Sequence, residues 1–252
     1  MHGINVVAQP FMELRIGCSG FYYPEWKNIF YPHDLPQRKW FEHYTKHFNT
    51  VELNGTFYRF PRVASLQQWY NNSPQQFTFC VKAPRLITHY KKFKDAGQQL
   101  LSFYDTVNEG LREKTGGILF QFPSSLVYHE ETLMRIVSML DASFVNILEF
   151  RHASWWNNTV YDTLRAAKVT FCSMSHPSLP DHVIQTADTL YYRFHGVPVL
   201  YVSPYGSEQL QHVAQQIATQ QGEVTYVYFN NTAHGAAITN AKTMETLMPA
   251  TV

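Results

Sequence analysis

The run VNILEFRH (145–152) is apolar until it closes on Glu149, Arg151 and His152, and a turn carrying Trp155 and Trp156 follows. Ionisable groups are costly to bury at the end of an apolar β-run unless they are paired or used, so such an end is a candidate site. The same arrangement recurs along the chain. TVELN (50–54) brings Glu52 and Asn54, FTFCVK (77–82) brings Lys82, and GILFQ (117–121) brings Gln121. LYYRFH (190–195) brings Arg193 and His195, and VTYVYFNN (224–231) brings Asn230. Two carboxylates among cations suit general acid–base chemistry of a hydrolase or lyase type. A carboxylate beside Arg or Lys stays ionised as a base, whereas one pressed against Trp or Tyr is raised toward an acid. Glu52, Glu149, Lys82 and His195 are the expected catalytic groups. Sugar hydrolases built on barrels use such a carboxylate pair, whose separation distinguishes inversion from retention.

Arg151 and Arg193 offer bidentate forks and Lys82 a point charge for a phosphate or carboxylate. Together with Asn54, Gln121 and Asn230 they form the expected substrate-binding set. Loop rings at Tyr22, Trp26, Trp155 and Tyr205 complete it by stacking on a sugar face or a base. The expected ligand is therefore a small anionic molecule, sugar derivatives included. Three other readings compete. Glu149 with an arginine, or Glu52 with Lys82, would serve equally well as buried ion pairs. A divalent metal could take Glu52, Glu149, His195 and one of His89 or His152, but Lys82 and two arginines would crowd a cation and no paired Cys/His spacing is present. No cofactor is assigned, and metal stays an alternative. A non-catalytic module holding a metabolite or a single nucleic-acid strand would use the same arginines and rings. Serine chemistry is weaker, because GCSG (17–20) is not a G-x-S-x-G turn.

The elements that must position these groups are legible from periodicity. Strand-like runs begin near 15, 50, 77, 117, 145, 168, 190 and 224. One-sided helical spacing separates several of them: Leu100, Phe103, Tyr104, Val107 and Leu111; Leu133, Ile136, Val137 and Leu140; Leu210, Val213, Ala214 and Ile217. Strands joined by helices demand a parallel sheet, and eight such units predict a closed (β/α)8 barrel of the TIM type. An open doubly wound sheet is the alternative, but its Gly-rich fingerprint is missing after the first strand. The link from strand six to strand seven, with Pro177 and Pro180, predicts a short or absent helix, and the long first connection predicts a helix at about 36–48. Alternation along each strand puts Glu52 with Asn54, Cys80 with Lys82, Leu119 with Gln121, Glu149 with Arg151, Arg193 with His195, and Tyr226, Tyr228 and Asn230 on the inward face. His152 and Asn231 have the opposite parity and are expected to cap or support.

Composition bounds the remaining possibilities. A chain of 252 residues predicts one domain, and 20 basic against 19 acidic residues give no overall field to recruit nucleic acid or an anionic membrane. Cys18, Cys80 and Cys172 each lie in an apolar run, as buried reduced thiols do in a cytosolic protein. Residues Met1 to Glu13 lack the basic start and apolar core of a signal peptide, and no run approaches a bilayer span. A cytoplasmic chain without membrane attachment is expected.

Long ordered motifs then carry a resemblance. IGCSGFYYPEW (16–26), FYP (30–32), FNTVELNGTFYRFP (48–61), VKAP (81–84), ITH (87–89), FQFP (120–123), EFRH (149–152), RFHG (193–196) and FNN (229–231) together resemble the YecE-like family, domain-of-unknown-function family 72, over about residues 14–245. The resemblance implies a TIM-type barrel and brings no established reaction with it. Gly55 departs from the small polar residue expected there, while Glu52, Asn54, Phe57 and Tyr58 keep register.

Overall fold

A computed structural model describes residues 12–248. The reading of an absent signal peptide falls mostly on residues 1–11, outside the described residues. Eight strands, β1 (Glu13–Cys18), β2 (Thr50–Leu53), β3 (Thr78–Lys82), β4 (Thr115–Phe122), β5 (Asn146–Phe150), β6 (Thr170–Ser175), β7 (Thr189–Phe194) and β8 (Val224–Phe229), form one sheet. All seven pairings are parallel, in the order β1-β8-β7-β6-β5-β4-β3-β2. The eight expected strands are thus present, and with the surrounding helices they make a nearly closed TIM-type barrel.

Eight helices accompany them: α1 (Trp40–Tyr44), α2 (Gly55–Tyr58), α3 (Val63–Asn72), α4 (Gly97–Leu111), α5 (Glu130–Ser138), α6 (Asn158–Ala166), α7 (Ser207–Ala218) and α8 (Ala236–Leu247). In α4, Leu100, Phe103, Tyr104, Val107 and Leu111 are buried, as their spacing requires, and Leu210, Val213, Ala214 and Ile217 do the same in α7. Helix α6 starts where the Asn157 side chain accepts from the Val160 amide at 3.1 Å. In α5, Glu130 and Glu131 occupy the first turn and Arg135 the last, which suits the helix dipole.

Two expectations about connections resolve differently. No helix joins β6 to β7; residues 176–188 instead run as a strap along β6. Thr186 Oγ1 accepts from the Phe171 amide at 2.8 Å and donates to the Val169 carbonyl, and the Ile184 amide donates to Ser173 Oγ at 2.8 Å. The helix expected at about 36–48 is present as a turn at Gln37–Lys39, the five residues of α1 and a last turn in which the Phe48 amide donates to the Tyr44 carbonyl at 3.1 Å. A seam lies between β1 and β2, the one neighbouring pair among the described strands not joined by backbone pairing.

Side chains close that seam. The Tyr44 hydroxyl, at the end of α1, accepts from the Cys18 amide at 2.8 Å and donates to the Thr50 carbonyl at 3.0 Å. Asn49 Nδ2 donates to the Leu14 carbonyl at 3.3 Å, and Asn54 Nδ2 to the Ser19 carbonyl at 3.4 Å. The strands approach so closely that a Cβ on Gly17 would collide with the Thr50 carbonyl oxygen.

Two apolar layers surround the sheet. Cys80, Leu119, Ile147, Cys172, Met174, Tyr191, Tyr226 and Tyr228 fill the barrel interior. A larger, aromatic-rich layer lies between strands and helices, where Phe194 stacks on Phe229 at 4.5 Å and Phe122 on Phe150 at 5.2 Å. The parity assigned from sequence holds in the split between these layers. Among the described residues, no helix is long and apolar enough to cross a membrane.

Candidate functional site

Above the interior tyrosines, the strand ends deliver a connected ionic network. Arg193 on β7 is fully buried and holds two buried carboxylates: its Nη2 donates to Glu52 Oε1 on β2 at 2.6 Å, and its Nη1 donates to Glu149 Oε2 on β5. Tyr191, one inward position earlier on β7, donates its hydroxyl to Glu52 Oε2 at 2.6 Å. Arg151 Nε donates to the other Glu149 oxygen, Oε1. Arg151 Nη2 lies 3.1 Å from His195 Nε2, which itself sits 3.6 Å from Glu149 Oε1. A guanidinium only donates, so a neutral His195 accepts from it at Nε2, and Nδ1 lies 3.1 Å from the side-chain amide nitrogen of Asn230.

These contacts fix protonation. Burial works to raise the Glu149 carboxyl, but the Arg151 and Arg193 guanidiniums beside it prevail and hold it well below the usual carboxylate range. Burial and the same two arginines keep His195 neutral, well below the ordinary imidazole value. Burial disfavours the Arg193 charge, yet the two carboxylates lock the guanidinium in its protonated form.

Lys82 differs from its neighbours. It is 9 % exposed, and among the described residues no carboxylate lies within ion-pair distance of its ammonium. Its Nζ rests 4.3 Å from the centre of the Phe57 ring. Burial, reinforced by the positive charge of Arg193, pushes it down to about 8. The His89 ring makes an edge contact with the same Phe57 ring at 4.9 Å, on a π-helical turn at Leu86–Tyr90 that follows β3. Burial, with Lys82 and Arg151 as lesser causes, pushes His89 down to about 4. Lys82, His89 and His176, whose ring lies 5.9 Å from that of His195, are groups at this mouth whose protons are not committed to an ion pair.

Glu52, Lys82, Glu149, Arg151, Arg193, His195 and Asn230 converge as the strand parity requires. Gln121 joins them in register beside Glu149, its Nε2 donating to the Phe122 carbonyl at 2.8 Å. Asn54 reaches the rim, with Nδ2 spent on the β1–β2 seam; its Oδ1 and Arg193 Nε are buried without a protein partner. The four rings do not join them. Trp26 is fully buried and donates to the Thr232 carbonyl at 2.8 Å, and Trp155 is stacked 3.9 Å from Phe150 and donates to the Leu126 carbonyl at 2.7 Å. Both belong to the packing of the loops. Tyr22 lies on the outer rim, bonded to Gln37 at 2.6 Å, and Tyr205 lines a cavity of ≈ 420 Å³ between the β6–β7 strap and α7, its hydroxyl accepting from the Gly196 amide.

Trp156 takes the place expected of Trp155: it is half-buried, packs against the barrel interior, and its Nε1 has no protein partner. Tyr201 faces His195 at 6.3 Å. His152 caps the turn after β5, accepting from the Ser154 amide, and Asn231 bonds Asn240 and Ser203, matching their expected supporting positions. Among the described residues no three His, Cys, Asp or Glu side chains form a metal-binding group, and Arg193 sits between the two carboxylates that were candidates to share one.

Sequence reasoning missed Tyr191, which the parity of β7 reaches one step before Arg193. It also missed a local charge asymmetry. Residues 53–94 contain Arg59, Arg62, Lys82, Arg85, Lys91, Lys92 and Lys94 and no Asp or Glu. Apart from Lys82 at the end of β3, these cations lie in the segments that follow β2 and β3. Arg85 lies over the rings of Tyr58 at 5.9 Å and Tyr90 at 5.4 Å, both exposed.

Comparisons with known proteins agree with this architecture. Residues 15–252 match the family described as protein of unknown function DUF72. The UPF0759 protein YunF of Bacillus subtilis is 23% identical over 93% of this chain and 94% of its own length. The UPF0759 protein YecE of Escherichia coli K12 is 27% identical over 46% of this chain and 42% of its own. A crystal structure of a DUF72 family protein from Thermotoga maritima superimposes with a TM-score of 0.85 at 28% identity, covering 94% of this chain and 99% of that one. Another, from Enterococcus faecalis, gives 0.80 at 16% identity over 95% and 96%. With its eight parallel strands and the family match over nearly its whole length, the chain belongs to the DUF72 family, a family of uncharacterised TIM-type barrels.

Proposed function

We propose that this protein is an enzyme that binds a small anionic compound at the C-terminal mouth of the barrel and transforms it by general acid–base chemistry, with Lys82 as the group that moves the proton. The observation that carries this reading is Lys82 itself: a nearly buried lysine at a strand end, near 8, with no carboxylate to neutralise it. A proton-transfer group works best with its pKa near the working pH, which Lys82 meets. Glu52 and Glu149 are locked to Arg193, so their role is to fix the arginines and set the field rather than to exchange protons as a glycosidase pair would. Arg151, whose side chain is 11 % exposed, offers its outer face to a phosphate or carboxylate, and the basic loops of 53–94 favour approach of an anion. The unanswered hydrogen-bonding capacity of Asn54 Oδ1 and Arg193 Nε belongs to the same mouth.

The test is thermal unfolding with inorganic phosphate, pyruvate and ribose 5-phosphate, each against chloride of equal ionic strength, followed by product analysis for those that bind. Wild type and Lys82→Met are both stabilised by at least one anion, with a shift that follows mass action, whereas Arg151→Met is not stabilised and Lys82→Met forms no product. Equal melting in all anions and in chloride overturns the proposal. A second reading has its own observation. Arg85 over Tyr58 and Tyr90, amid unpaired cations, is the combination of charge and stacking platform that a single nucleic-acid strand uses. Stabilisation by oligonucleotides alone, lost as salt rises, would favour it.

A further inference from the structure

Lys82 is placed for more than proton transfer. We infer that its amine is a nucleophile, forming an imine with the carbonyl group of a small substrate that also carries a carboxylate or phosphate. The inference rests on the anion-binding reading above and names the substrate class.

Three features of the mouth support it. First, the positive charge that an anion needs is already supplied by Arg151 and Arg193, both fixed by Glu149; a further ammonium on the Phe57 ring is redundant as a charge. Second, Nζ rests on an aromatic face, the charge of Arg193 works against its ammonium, and no acceptor among the described residues holds one. A lysine desolvated or set beside another cation is the form in which an amine acts as a nucleophile. Third, His89 packs edge-on against the same Phe57 ring as a neutral imidazole, its Nδ1 2.9 Å from Thr88 Oγ1 and its other nitrogen free to carry a proton.

The steps balance without any further reagent. The Nζ lone pair adds to the carbonyl carbon while the carbonyl π electrons move to oxygen. One proton leaves nitrogen and one reaches oxygen, giving a carbinolamine, with His89 as the carrier. Protonation of the hydroxyl and its departure as water then leave the protonated imine, and hydrolysis reverses the sequence. The anionic group of the substrate lies on Arg151, which sets the carbonyl toward Lys82.

The experiment is reductive trapping on the full chain at pH 7.5 with cyanoborohydride and, separately, pyruvate, dihydroxyacetone phosphate and acetone, followed by peptide mapping. A value near 8 against the ordinary 10.5 gives Lys82 about 200-fold more free amine than an exposed lysine at that pH, part of which is offset by lower basicity. Lys82 is therefore expected to be labelled at least ~10-fold faster than the exposed Lys39 and Lys46, with pyruvate or dihydroxyacetone phosphate preferred over acetone. Inorganic phosphate should slow it, and Lys82→Arg should remove it. Labelling spread over surface lysines with Lys82 spared overturns the imine. If the same anions still raise the melting temperature, the acid–base reading survives that result; if they do not, both fall. The wild-type labelling pattern decides the question even if Lys82→Arg does not fold.

Discussion

Arg193→Met should be among the most damaging single substitutions at the mouth of this barrel. Arg193 is fully buried and donates to two fully buried carboxylates. Methionine replaces much of its volume and none of its charge. Glu149 would keep Arg151 and His195, whereas Glu52 would keep only the Tyr191 hydroxyl. Removing one partner from a buried ionic network costs about 3–5 kcal/mol, because a charge is left buried and uncompensated. For a chain of this length each kcal/mol lowers the melting temperature by roughly 2–4 °C, so the expected loss is roughly 6–20 °C. The double variant Glu52→Gln, Arg193→Met removes the stranded charge and should recover about half of that loss, a coupling well above the ~0.5 kcal/mol of independent sites. Circular dichroism during thermal and urea unfolding of wild type, both single variants and the double completes the cycle. A loss below about 1 kcal/mol, or a double variant no better than Arg193→Met, would refute the argument that Glu52 depends on Arg193 for its burial.

Other outcomes follow from the same geometry. Tyr44→Phe removes the hydroxyl that serves the Cys18 amide and the Thr50 carbonyl, and should cost about 1–3 kcal/mol with faster amide exchange at Cys18; unchanged exchange there would contradict a side-chain closure of the seam. Glu149 lies below its ordinary value of 4.5 in the folded chain, so its contribution is present above that pH and is lost as pH falls through the native value. Wild type should therefore lose stability in acid more steeply than Glu149→Gln, and parallel acid limbs would count against it. Lys82, lowered from 10.5 to about 8, is destabilising at neutral pH by up to about 3 kcal/mol. Between pH 8 and 10.5 the unfolded chain binds more protons there, so wild type should gain stability relative to Lys82→Met as pH rises through that window. At pH 7 Lys82→Met should be the more stable protein and still bind the anion, without turning it over. Equal stability across the window would show that the ammonium is not desolvated.

Strand positions and inward faces were readable from the sequence because a period of two leaves little freedom once one face is buried. Glu52, Lys82, Glu149, Arg193 and His195 therefore meet where alternation places them. Parity also separated His152 and Asn231 from the mouth. The rings were not readable in the same way. Whether a loop tryptophan faces a ligand or the core depends on which distant carbonyl takes its indole N–H, and Trp26 is held by Thr232 across the molecule. Trp155 and Trp156 are adjacent in sequence and differ in fate because the turn after β5 points one at Phe150 and the other at the barrel interior. The basic loops escaped a count over the whole chain, since the acidic residues that balance them lie elsewhere. The β6–β7 strap was legible as a gap in helical spacing, but its anchoring by Thr186 and Ser173 was not.

The closure between β1 and β2 bears on how a substrate enters. Seven junctions of the hoop are knit by main-chain ladders, whereas the eighth is a clasp of tyrosine and asparagine side chains. Local opening concentrates where the fewest main-chain bonds must break. The clasp divides the strand leading to Ser19 from the strand carrying Glu52, so a small loosening there would widen the entrance next to the ionic network while the rest of the hoop stays shut.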